Sequence, residues 1–175
     1  MRHNHLFLLA AALLIGCYHP DTFTRPPADR PALGLVTTVA LAPGAEVSGD
    51  VVDECEVQSR LIGEIADEAG YHFSIRLLPD HEGVALPVLV LRFANIEAEG
   101  AGIVSGAKSV TLEGRLMRGG DVVASFTAQR TTINGYAGGF YRGTCDLVEN
   151  VLEELAEDIA QWLRHPTPGA MLGEL

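Results

Sequence analysis

Between Lys108 and Arg118 the chain alternates Val110, Leu112 and Leu116 with Ser109, Thr111, Glu113 and Arg115. Gly119-Gly120 follows, and a second extended run returns from Asp121 to Thr131. A period of two gives each strand one apolar and one polar face, and a diglycine supplies the positive-φ positions of a tight hairpin turn. A lone hairpin is unstable in water, so its apolar face demands more strands and a cover. The cover is the strongest helical pattern in the chain, Thr144 to Arg164, where Val148, Val151, Leu152, Leu155, Ile159, Trp162 and Leu163 form one stripe. The chain has 175 residues, room for one hydrophobic core. Its 23 acidic against 12 basic side chains disfavour a nucleic-acid partner, which needs clustered Lys and Arg to displace counterions.

The hairpin has extended and helical company upstream. Leu35 to Leu41 reads as a buried first strand ended by Pro43-Gly44. Asp50 is a candidate N-cap, and Val51, Cys55, Leu61, Ile62, Ile65, Ala66 and Ala69 recur at helical spacing up to Gly70, which predicts one amphipathic helix of about 19 residues. Phe73, Ile75 and Leu77 alternate with polar residues in a half-buried strand stopped at Pro79-Asp80. Leu86 to Ile96 is a more uniformly apolar strand, with Pro87 confined to its start. The order β-α-β-β-β-β-α predicts an α+β two-layer sandwich: a mixed sheet of about five strands with two helices on one face, the first two strands parallel through a right-handed crossover.

The first residues carry an address. Arg2 precedes an apolar run from Leu6 to Ile15, ten residues that at about 1.5 Å each reach only half of a ~30 Å hydrocarbon core. It reads as a signal-peptide core. Leu14-Ile15-Gly16-Cys17 resembles the bacterial lipobox, which implies cleavage before Cys17 and acylation of its sulfur; the alternative is an ordinary secretory signal with an incidental cysteine. Two or more acyl chains anchor a protein stably without a transmembrane helix, so the bilayer is an expected partner through Cys17. Tyr18 stands where Asp would resemble an inner-membrane retention signal, which points to the outer membrane. Pro20, Pro26, Pro27 and Pro31 make residues 17–32 a tether. The expected organisation is therefore a signal peptide over 1–16, the lipidated tether over 17–32, one domain over 33–165, and a flexible tail over 166–175 with little to pack.

With Cys17 assigned to lipid, Cys55 and Cys145 remain as an even pair in an oxidising compartment, where a disulfide persists. The alternatives are two buried thiols, or a metal site for which further ligands at suitable spacing are missing. A bridge requires Cα atoms within about 7 Å, so the starts of the two helices would meet. The linker from Thr132 to Gly143 would then travel back across the sheet, and twelve residues can reach about 40 Å.

Gly100-Ala101-Gly102, Gly106, the alternating strand, Gly119-Gly120-Asp121, the returning strand, a Gly-rich segment and a final helix with Cys145 and Trp162 resemble an uncharacterised family of small Gram-negative lipoproteins. The opening from Val39 to Gly44 resembles that family's valine-rich strand and Pro-Gly. The likeness spans residues 34–164 and implies a fold and a lipid anchor, with no activity attached. More coarsely, the layout is similar to envelope-assembly and transport-auxiliary lipoproteins.

Catalytic chemistry is hard to find. His72, His81 and His165 read as surface or helix-end residues, His81-Glu82 lacks the second His of a helical zinc motif, and Ser105 is not in a nucleophile elbow. No metal, cofactor or catalytic residue is expected, and the chain is expected not to be an enzyme. Twelve of the 23 acids lie on the two helices, as a solvated face or a docking surface for a basic partner. The segment with the best claim to recognition is 134–143, where Tyr136, Phe140, Tyr141 and Arg142 sit among glycines; alternatively its aromatics plug the sheet edge and cover the disulfide. The expected role is a non-enzymatic binding or assembly accessory that meets another envelope protein. The alternative is a small-ligand or lipid-binding module with a cavity between sheet and helices.

Overall fold

The structure, a computed structural model, describes residues 29–47, 49–98, 107–132, 136–137, 140–141 and 143–175, with backbone alone for 49, 50 and the two dipeptides. Strands β1 (Ala32–Val36) and β2 (Ala40–Val47) lead into helices α1 (Gly49–Glu54) and α2 (Val57–Gly70). Strands β3 (Ser74–Leu78), β4 (Val88–Glu97), β5 (Lys108–Arg118) and β6 (Asp121–Thr132) follow, then the short strands β7 (Tyr136–Ala137) and β8 (Phe140–Tyr141), helix α3 (Thr144–Arg164) and strand β9 (Ala170–Gly173). One mixed sheet runs β3-β1-β4-β5-β6-β9, with β2 continuing along β4 beyond β1, while β7 and β8 form a separate ladder.

The α+β class holds, and β1 and β3 are parallel across the helical connection. The β5–β6 hairpin and α3 occupy the expected residues. Gly119 and Gly120 have φ of 60° and 93°, the positive values a two-residue turn needs to match the twist of its strands. Gly114 has a packing reason instead: a Cβ there would lie 2.1 Å from the Phe126 ring, which meets Trp162 of α3 edge-on at 4.8 Å. The helices cover one sheet face, burying Leu89, Leu91, Phe93 and Leu112 against Leu61, Ile65, Leu152 and Leu155, all at 1% exposure or less.

Four expectations need correction. Among the described residues the main sheet has seven strands rather than about five, and there are three helices rather than two. The expected first strand is divided at Thr37–Val39, where Thr37 N donates to Leu78 O at 2.9 Å and Val39 N donates to Gln58 Oε1 at 3.3 Å. Pro43-Gly44 does not end it; β2 runs through with a register shift between Leu41 and Glu46, because an irregular strand tolerates a missing donor.

The expected first helix is broken in the same way. Cys55 N still bonds Val51 O, but Glu56 N reaches only Asp53 O, and Glu56 takes a left-handed φ of 51° before α2 starts. The apolar repeat survives because Val51, Val52 and Cys55 pack on the core on one side of the break and Val57 and Leu61 on the other. The segment 166–175, expected to have little to pack, contributes β9, parallel to β6 from Phe126↔Ala170 to Gln129↔Gly173. Gly169 N donates to Ser125 Oγ at 3.0 Å and Glu174 N to Gln129 O at 2.9 Å. A Cβ on Gly173, which has φ of 80°, would lie 2.2 Å from Gln129 O, so close pairing requires glycine there.

Candidate functional site

The crosslinked end of the helical layer comes first. Cys55, 3% exposed at the break between α1 and α2, is bonded to Cys145 in the first turn of α3, with Cα atoms 5.1 Å apart and a sequence separation of 90. The Asp146 carboxylate accepts from Gly143 N at 3.1 Å and so closes the start of α3. Of the four residues singled out for recognition, Tyr136, Phe140 and Tyr141 have a described backbone: Tyr136 pairs with Tyr141 and Ala137 with Phe140 in the ladder just before α3. Arg142 and the lipobox Cys17 lie outside the described residues.

The helical side is acidic, and two arginines meet some of its carboxylates. Arg60 of α2 meets Glu149 of α3 at 2.8 Å. Arg130 donates through Nε and Nη2 to the two carboxylate oxygens of Asp158 at 2.8 and 2.9 Å, with Glu154 at 3.7 Å. That bidentate bond holds the Arg130 guanidinium more firmly protonated than usual. Partial burial, then Glu153, Asp67, Glu149 and Glu68, push the Glu64 carboxyl above its ordinary range.

Lys108 was not anticipated. It is fully buried, its Nζ donates to Ala98 O at 3.0 Å, and burial pushes its ammonium below the usual lysine range. The signal was its parity: Lys108 is in phase with Val110 and Leu112, on the inward side of β5. Arg130 was legible in the same way, since it opposes the inward Val110 in register.

Catalytic geometry does not emerge among the described residues. His72 and His165 are exposed, and His81 Nδ1 lies 3.0 Å from Asp80 Oδ1. The same Asp80 oxygen accepts from His81 N and Glu82 N, which, with the nearby imidazole, holds its carboxyl below the usual range. No group of three or more His, Cys, Asp or Glu among the described residues could hold a metal ion, and no described helix is long and apolar enough to cross a membrane.

Three recesses among the described residues open on the outside of the domain. One of about 90 Å³ lies on the sheet face opposite the helices, with Val90 and Arg92 of β4, Glu113, Arg115 and Met117 of β5, and Val122 of β6 around it and His81 at its rim. His81 also borders a wider cleft of about 510 Å³ between residues 82–85 and the Gly119-Gly120 turn. A third, of about 230 Å³, separates the ends of α2 and α3 near Tyr71 and Arg164. Between sheet and helices, Phe93, Leu112 and Leu155 are packed to near-zero exposure.

Solved structures resemble this chain to differing degrees. An uncharacterized protein superposes with a TM-score of 0.50 at 14% identity, over 75% of this chain and 92% of its own. A DUF330 protein from Xanthomonas campestris gives 0.49 at 15% identity, over 78% of this chain and 87% of its own. A candidate lipoprotein from Caulobacter crescentus gives 0.40 at 15% identity, over 74% and 91%. The first likeness establishes a common fold, and none of the three bears on activity. No protein-family model and no curated protein matches the chain.

Proposed function

We propose that the chain is a periplasm-facing lipoprotein, anchored through acylated Cys17 on the outer membrane, that serves as a non-enzymatic binding or assembly accessory to another envelope protein. The observation that carries this reading is how the cysteines divide. Cys55 and Cys145 are bonded to each other, and the sulfur left over is the one that ends Leu14-Ile15-Gly16-Cys17 behind a ten-residue apolar core. A disulfide suits an oxidising compartment, and the leader supplies a route to one. The ladder β7–β8, bearing Tyr136, Phe140 and Tyr141 beside the crosslinked helix start, is the segment assigned to partner recognition.

Metabolic labelling with palmitate tests the anchor. The full chain takes up label and sediments with the outer membrane, whereas Cys17→Ser yields an unlabelled, folded, periplasmic protein. An unlabelled wild-type chain, or a Cys17→Ser chain that still sediments with the membrane, would contradict the reading.

A further inference from the structure

We propose that the sheet face opposite the helices holds a binding site for an anionic amphiphile, an oxyanion head on an apolar body, with Arg92 and Arg115 taking the head. The proposal goes beyond the anchoring reading and does not depend on it. It starts from register. Across the antiparallel pair β4–β5, Val90 opposes Arg115 and Arg92 opposes Glu113. Positions of equal parity share a face, so Arg92 and Arg115 are diagonal neighbours, about 7 to 8 Å apart at Cβ and within reach of one another's ligand. Two planar donor forks on adjacent strands suit a phosphate or a carboxylate.

Like most of the described arginines, these two have no carboxylate partner; what sets them apart is that they line one recess together. In a chain of formal charge -11, Arg60 and Arg130 are matched to carboxylates. Among the described residues the side chains of Arg92 and Arg115 make no ion pair or hydrogen bond, although Arg92 is half-buried and a carboxylate stands opposite it in register. Counted with Glu113, the two guanidiniums leave a formal charge of one positive unit on the recess wall, with no ion pair between them, and a monoanionic head would neutralise it.

The flanks supply the apolar half of the match. Val90, Met117 and Val122 border the same recess, and Val122 is 51% exposed, an apolar side chain held in water. The 90 Å³ volume suits a head group rather than a whole ligand. The neighbouring 510 Å³ cleft shares His81 and offers the body Val84 and Ala85, with the Glu82 carboxylate also on its lining.

Calorimetric titration of the full chain carrying Cys17→Ser, which brings no acyl group of its own, tests the site with four probes: octyl phosphate, octanoate, inorganic phosphate and octyl glucoside. Octyl phosphate or octanoate should bind saturably and more tightly than inorganic phosphate or octyl glucoside. Arg92→Gln and Arg115→Gln should each weaken that binding by about tenfold or more, as loss of a charge-assisted hydrogen bond does. Arg118→Gln, outside the recess, should leave it unchanged. Should Arg92→Gln unfold the domain, the exposed Arg115→Gln decides alone. Failure of both anionic amphiphiles to bind, equal binding of octyl glucoside or of inorganic phosphate, or wild-type affinity in Arg115→Gln would overturn the proposal. None of these results depends on whether Cys17 is acylated in the cell.

Discussion

On the helix-covered face of the sheet, Arg130 is held by both oxygens of Asp158 and the buried Lys108 donates to Ala98 O. On the open face, Arg92 and Arg115 stand beside Glu113 with no ion pair among the described residues. The difference follows from solvent. A cation beneath helices loses water and must find protein partners, while one on an uncovered strand can keep its hydration and remain available to a ligand. Polar groups on the covered face therefore serve the fold, and those on the open face are free to serve recognition.

The largest expected effect lies in the covered layer. Removing the crosslink in Cys55→Ser/Cys145→Ser should lower unfolding free energy by up to about 4 to 5 kcal/mol, since the bond closes a long loop. Chemical denaturation with and without reductant measures it, and equal midpoints for the wild type under both conditions would contradict it. Next, Asp158→Ala should cost about 1.5 to 3 kcal/mol by removing both hydrogen bonds of a half-buried guanidinium and leaving it only the longer contact with Glu154, whereas Glu113→Gln on the open face should stay within about 0.5 kcal/mol. Equal losses would erase the contrast between the faces. Glu149→Gln, which breaks the partly exposed pair with Arg60, should cost no more than about 1 kcal/mol.

The smallest effect has a pH signature. Burial and its acidic neighbours raise the Glu64 carboxyl in the folded state, so its ionised form opposes folding above that value and its protonated form does not. Glu64→Gln should therefore raise the melting temperature at neutral pH, and the gain should shrink as pH falls through the raised value and vanish well below the ordinary 4.5. A gain independent of pH would mean that packing, not charge, is responsible.

Elements governed by a local pattern were legible in the sequence. The hairpin followed from alternation on both sides of Gly119-Gly120, and α3 from an unbroken stripe between Gly143 and Pro166. What escaped depends on partners distant in sequence. The break at Glu56 is hidden because Cys55 and Val57 both face the core, so the apolar repeat continues across it. Strand β9 has only four residues, Ala170–Gly173, and exists because β6 offers it an edge. The open-face recess was invisible for a related reason: Arg92 and Arg115 become neighbours only once β4 and β5 are in register. Lys108, by contrast, could have been read from parity alone.

The cysteines tie the anchor to the domain, and their chemical state can be read in one experiment. Peptide mass spectrometry of the full chain, taken from membranes and alkylated without reduction, should find an amino terminus at acylated Cys17 and a linked pair of peptides containing Cys55 and Cys145. An unmodified Cys17, or alkylated Cys55 and Cys145, would contradict the account.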